Sequence, residues 1–261
     1  MKKIHLVLLL VFTISCKHRF YRAPSGSMEE TIMRGDNFTV TITGKFERND
    51  IVVFDYYGPD YSSMDETGQF KSSHWERRVY RLIAYSGDSV MIAEGDLFVN
   101  NRHIQMPPKG KLRYEVYAKT TIDDFNDEGL IPPNRKGDTL VYTVDLTTNK
   151  AEEYRLRKPA IMKVKRILPE PYANDTAFAR ASGKGEWNIN NYGPFKIPSP
   201  GEKIYVDDNN LKFYHNIPGI QKGLNTINEK LYFVLGDNRY GAEDSRYIGL
   251  IAHSKMYGIV E

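Results

Sequence analysis

Residues 23 to 36 read APSGSMEETIMRGD, and two hydroxyls stand out, Ser25 and Ser27. Pro24 pushes Ala23 toward an extended backbone, and Gly26 permits a tight bend. Such a bend can expose the Ser27 Oγ at a strand end. It can also aim the Ser27 N–H and the Ser25 hydroxyl at one point, as an oxyanion hole requires. A serine nucleophile then needs a neighbour that accepts its proton. Most Ser-Gly-Ser triplets are plain loops, so the surrounding sequence has to supply the argument.

A base can come from several places. The stretch RVYRLIAYSGD, residues 78–88, offers Tyr80. A phenol has an ordinary pKa near 10 and would need a downward shift of about 3 units, or roughly 4 kcal/mol, to be mostly ionised at pH 7. Burial pushes the other way. On a strand Arg78 shares a face with Tyr80, whereas Arg77 and Arg81 do not. Lys71 and His74, in the polar stretch TGQFKSSHWE, are the alternatives, and a Ser–His pair is chemically sound. His5, His18, His103, His215 and His253 occupy no catalytic spacing. One cysteine, scattered histidines and no HExxH leave no metal-ligand pattern, and no cofactor is expected.

The elements around these residues read as strands. Val, Ile, Thr, Tyr and Phe are plentiful, with 18 Tyr and 12 Phe in 261 residues, which favours a β-rich fold. Strand-like runs are expected at 37–43, 50–57, 77–85 and 88–101, the last a hairpin around EGD. Further runs are expected at 112–118, 137–146, 160–168, 203–208 and 230–237. Turn signals separate them at 58, 106, 131 and 197. Residues 123–131 are read as a short helix or a loop, and no long helical periodicity is evident. The Lys- and Glu-rich stretch from about 104 to 185 is read as a solvated face.

The N-terminus, MKKIHLVLLLVFTISCKHRF, places two lysines before an apolar run from Ile4 to Ile14. That is the n-region and h-region of an export signal. It is short of the ~20 apolar residues that span a bilayer. Lys2, Lys3, Lys17, Arg19 and Arg22 precede the first acidic residue; without those five, 31 basic face 33 acidic residues. The body is not basic, so no nucleic-acid partner is indicated. The stretch Thr13-Ile14-Ser15-Cys16 resembles a bacterial lipobox, with Thr13 where Leu is usual. That resemblance implies cleavage before Cys16, lipidation of its thiol and a lipid anchor that does not span the membrane. The alternative is a plain thiol in an uncleaved signal. A single cysteine allows no internal disulfide.

Five ordered stretches resemble the signal peptidase I family of serine peptidases, in its Bacteroidetes-type form. PSGSMEETIMRGD is similar to the serine box, and NDIVVF (49–54) to the next box. RLIAYSGDSV (81–90) is similar to the box of the basic residue. WNINNYGPFKIP (187–198) resembles a stretch before the final box, and LGDNRYGAEDSRYIGLI (235–251) resembles that final box.

The resemblance implies a mainly β fold: an antiparallel β catalytic core, residues 17–90 and 229–261, with an inserted β-rich cap, 91–228, after a signal segment, 1–16. It implies a Ser/Lys dyad that removes signal peptides. Ser27 falls at the nucleophile and Ser25 at the oxyanion hydroxyl. The lysine position holds Tyr80, and the serine that orients that lysine is replaced by Ala242. Asp237, Asn238, Asp244 and Arg246, the structural residues of the final box, are kept. The peptide would lie as an added strand against Ala23, Pro24, Met28, Arg78 and Val79.

Two readings follow. One is a degenerate peptidase that binds extended peptides, signal-sequence segments or an envelope complex. The other is an active signal peptidase with an unusual base. Either would sit in the cell envelope, anchored to a membrane and facing the periplasm. The basic CKHRFYR fits that side and anionic headgroups.

Overall fold

The structure is a computed structural model and describes residues 18–59, 72–122, 133–157, 159–168, 179–181 and 187–261. Cys16, Lys71 and the whole of 123–131 lie outside the described residues. The chain is 48% strand and 10% helix, so the expectation of a mainly β fold holds.

A seven-stranded antiparallel sheet forms the body. Its strands are β1 (His18–Arg22), β2 (Asn37–Ile42), β3 (Ile51–Pro59), β4 (Ser73–Tyr85), β15 (Leu231–Leu235), β16 (Ile251–Ala252) and β17 (Met256–Val260). They are ordered β1-β2-β17-β3-β4-β15-β16. All seven come from the two ends of the chain, and 91–228 supplies none. A second sheet orders β12 (Tyr192–Lys196), β5 (Ser89–Ala93), β6 (Asp96–Val99) and β7 (Arg102–Ile104). A third orders β11 (Ile161–Arg166), β8 (Lys111–Ala118), β10 (Thr139–Thr147) and β9 (Asn134–Lys136). A two-stranded ribbon joins β13 (Lys203–Val206) to β14 (Gly223–Thr226).

The two-residue period of a strand decides which core each side chain enters. In β15, Leu231, Phe233 and Leu235 face one cluster with Val90, Ile92 and Phe195 of the second sheet. Tyr232 and Val234 face the other, with Val52, Phe54, Tyr80 and Leu82. The main sheet is therefore covered by the second sheet on one side and carries the serine segment, through Ala23, Met28 and Ile32, on the other. A separate cluster fills the third sheet beneath α1 (Thr148–Arg157).

Several bounds differ from the sequence reading. β3 runs to Pro59 and β4 starts at Ser73, four residues before the expected 77, because β4 pairs along the whole length of β3, Pro59 opposite Ser73. β12, β14 and β17 were not among the expected runs; their glycines and short lengths blur the alternation. α1 was not among the expected elements. Only Ala151 and Tyr154 turn to the core, too few to mark a helical period in a ten-residue polar segment. Among the described residues no helix is long and apolar enough to cross a membrane, which says nothing of strands.

Candidate active site

The segment after β1 bends away from the sheet. Ala23 remains in register, its N–H donating to the Asp36 carbonyl at 2.8 Å and its carbonyl accepting from Gly35 N–H at 3.0 Å. Residues 28–32 then coil tightly, with Thr31 and Ile32 N–H both donating to the Met28 carbonyl. Gly26 does not take a left-handed backbone. A Cβ there would lie 2.5 Å from the Glu29 Oε1, a contact the flexible Glu29 side chain relieves by turning away.

The final-box loop, residues 236–244, holds this bend from below. Asn238 N–H donates to the Ser27 carbonyl at 3.1 Å, and Asn238 Nδ2 to the Gly26 carbonyl at 3.2 Å. Asp237 accepts from Thr31 Oγ1 and, in a bidentate pair, from Arg81 at 2.8 and 2.7 Å. Behind them Asp244 and Arg246 form a fully buried ion pair at 2.7 Å. Asp244 also accepts from Gly236 N–H and caps the short helix Ser245–Ile248 through Arg246 N–H. Removing one partner of such a pair costs about 3–5 kcal/mol, because the other charge is left buried alone. These residues support the bend and do not reach the cleft.

Ser25 and Ser27 lie within hydrogen-bond reach of each other, and their donors point at one another, not at a shared third point. The Ser25 hydroxyl donates to Ser27 Oγ at 3.1 Å, and the Ser27 N–H reaches back to Ser25 Oγ at 3.5 Å. The Ser27 hydroxyl donates to the Gly241 carbonyl at 3.3 Å. Its proton thus points at a neutral amide oxygen, which cannot take it.

Tyr80 closes the other side. It is 4% exposed, and its ring lies 5.9 Å from that of Phe54. Its hydroxyl donates to the Glu243 carbonyl at 3.0 Å. Burial pushes the Tyr80 phenol up to about 12, and the Arg78 charge and the nearby Ser27 hydroxyl pull back only in part. Ala242 is tucked into the same corner. A Cβ on Gly236 would lie 2.3 Å from the Ala242 Cβ, 2.6 Å from the Ser27 carbonyl oxygen and 3.5 Å from Tyr80 Cδ1. Ser27, Tyr80 and Ala242 therefore surround one point.

A cleft of about 360 Å3 opens above them. Ala23, Pro24, Ser25, Ser27, Met28, Arg78, Val79 and Tyr80 all line it, so one concavity gathers every residue named for nucleophile, oxyanion, base position and peptide contact. Glu76 and Glu243 are its carboxylates, and both turn to Arg78, at 2.5 and 3.5 Å. Arg78 also lies 4.0 Å over the Tyr56 ring. Burial works against its charge, but Tyr80 and Glu76 hold it above the ordinary arginine value.

Among the described residues, one wall of the cleft is an open strand edge. β4 pairs with β3 from Ser73 to Arg81, whereas β15 reaches β4 only from Arg81 onward. Leu82 directs its N–H and carbonyl toward Asp50 and Asn49 on the β3 side. Alternation then sends those of Val79 and Arg77 to the unpaired side.

Of the other proposed bases, Lys71 lies outside the described residues, and His74 and the remaining described histidines are engaged elsewhere. His74 sits six residues along β4 from Tyr80, about 20 Å at strand rise, and faces Glu76. His18 pairs with Glu261, His103 lies on Phe98, His215 on Tyr56, and His253 meets Tyr232. His5 lies outside the described residues. Sequence reasoning missed Lys111, a buried lysine of β8. It pairs with Glu30 at 3.5 Å and steadies the serine segment from outside the cleft; nothing in its own neighbourhood of sequence signals that. It also missed the carbonyls of Gly241 and Glu243, since main-chain acceptors carry no residue signature. Among the described residues, no group of three or more His, Cys, Asp or Glu could hold a metal.

Among curated proteins, none matches the chain at a significant level. A profile of the family described as signal peptidase, peptidase S26, matches residues 1–261. With that match over its whole length, the chain belongs to the signal peptidase family, peptidase S26.

Proposed function

We propose that this protein is a degenerate signal peptidase that holds an extended peptide, of the signal-sequence type, without cutting it. The observation that carries the reading is the neutral Tyr80 hydroxyl at the lysine position, with burial raising its pKa to about 12. A base must be deprotonated before it can accept the serine proton, and this phenol instead donates to the Glu243 carbonyl. Ala242, at the position of the orienting serine, removes the second group of the same relay.

The binding half survives that loss. An added strand needs unpaired main-chain donors and acceptors and shallow side-chain pockets. The open edge at Arg77 and Val79 offers the first, and the cleft between Ala23, Met28 and Tyr80 the second. In this reading the lipobox-like Cys16 tethers the domain to a membrane on the periplasmic side. The cleft then captures peptide ends or a subunit of an envelope complex there.

The second reading, an active signal peptidase, is favoured by the Ser25–Ser27 pair, which keeps its 3.1 Å contact. A fluorogenic signal-sequence peptide offered to the detergent-solubilised full chain separates the two. The degenerate reading expects wild type and Ser27→Ala to be equally inert. Hydrolysis by wild type that Ser27→Ala abolishes sinks it.

A further inference from the structure

A second cavity, of about 40 Å3, lies behind the final-box loop and shares no lining residue with the serine cleft. Arg166, Arg239 and Arg246 line it, with Asn190 and one carboxylate, Asp96. Two of the three guanidiniums are incompletely used. Arg239 is only 8% exposed, and its Nη1 has no hydrogen-bond partner among the described residues; the same is true of the buried Arg166 Nη2. Arg239 Nε finds only the Met106 sulfur, at 3.4 Å.

Among the described residues, no local carboxylate pairs with Arg239. Asp244 is taken by Arg246 through Nε and Nη2. Asp237 is taken by Arg81 and Thr31. Asp96 meets Arg166 Nη1 at 3.1 Å. Arg239 is left as a buried cation with no direct counter-charge. Burial first, and then the neighbouring Arg246, push its pKa down to about 10. Water could satisfy the orphan N–H groups but not the charge, and a buried charge is stable only when paired. The volume is about three times the ~10–15 Å3 that one water requires. It suits a single small ion and excludes a peptide or a nucleotide.

We propose that this cavity binds one small inorganic monoanion, of chloride size, between the guanidiniums of Arg239 and Arg166. The ion would steady the loop from behind. Arg239 carries that coupling: its carbonyl accepts from Arg246 Nη2 at 2.6 Å, and the adjacent Asn238 holds the serine bend. The proposal does not depend on whether Ser27 is catalytic.

The test is thermal melting of the detergent-solubilised full chain while chloride replaces gluconate, too large for the cavity, at constant ionic strength. Wild type is expected to gain about 2–4 °C, saturably, once chloride exceeds its dissociation constant several-fold. Arg239→Gln, if it melts cooperatively, is expected to lose that gain. A flat response in wild type, or an equal gain in Arg239→Gln, overturns the proposal. Crystals grown in bromide give an answer that needs no variant: an anomalous peak between Arg239 and Arg166 supports it, and water alone in the cavity overturns it.

Discussion

Placing a lysine at position 80 and a serine at 242 is predicted to create a peptidase. The energetics turn on burial acting with opposite sign on the two side chains. With a pKa of about 12, Tyr80 is ionised in only about one molecule in 10^5 at pH 7. Closing that gap takes about 7 kcal/mol at ~1.36 kcal/mol per pKa unit. This is more than the ~4 kcal/mol that an unperturbed phenol would need. A lysine starts near 10.4 and must fall by about 3 units to be neutral at pH 7. The desolvation that raises Tyr80 would lower an amine, and buried lysines do shift by 3–5 units. The Arg78 charge acts in the same direction. Tyr80→Lys gives up the hydrogen bond to the Glu243 carbonyl, about 0.5–1.5 kcal/mol, and the ring contact with Phe54. Ala242→Ser places a hydroxyl in the corner shared with Tyr80 and Ser27. A positioned general base contributes about 10^2–10^4-fold, so the double variant should cleave a signal-sequence peptide at least ~100-fold faster than wild type. The assay is fluorogenic hydrolysis in detergent, with Ser27→Ala added to the double variant as its control. A double variant that melts like wild type but gains no activity refutes the reasoning, because the scaffold would then lack more than its base.

Three other outcomes follow from the same geometry. Tyr80 should escape ionisation in an absorbance titration until pH exceeds about 11, and Tyr80→Phe should remove one late-titrating phenol. Its folded pKa lies above the unfolded value near 10, so its contribution is complete below pH 10 and is lost as pH rises from 10 to 12. That share is at most about 3 kcal/mol, read as the difference in alkaline melting between wild type and Tyr80→Phe. Asp244→Asn should cost about 3–5 kcal/mol in denaturant unfolding, since it strands Arg246 in the core. Val79→Pro removes a main-chain donor from the open edge of β4, and should weaken binding of an extended peptide at least ~10-fold, measured by fluorescence anisotropy. A ladder with β3 that survives, seen as a preserved near-ultraviolet spectrum, separates this from unfolding.

Which residues share the cleft was legible where side chains stand at fixed spacing. Ser25, Ser27 and Tyr80, named from ordered boxes, line one cleft, and the alternation of β4 put Arg78 on the face of Tyr80, where both donate to the Glu243 carbonyl. Main-chain groups left no such trace. The Gly241 and Glu243 carbonyls that occupy both key hydroxyls depend on the course of the loop, not on residue type. Lys111 was invisible for a related reason: it lies in another sheet and reaches Glu30 only after folding. In the fold, strands with strong alternation, such as β10, were readable. β17 was not, because Gly258 interrupts its pattern; there a Cβ would lie 2.4 Å from the Thr41 carbonyl oxygen, so close strand approach outweighs strand propensity. α1 was hidden because only Ala151 and Tyr154 face inward.

The most direct test of a cleft that binds and does not cut follows both events in one sample. A labelled signal-sequence peptide is mixed with the solubilised full chain. Anisotropy reports binding, and mass spectrometry of the same mixture reports the peptide and any adduct on Ser27. The account predicts saturable binding, an intact peptide and an unmodified serine. Accumulating fragments or an acylated Ser27 would contradict it.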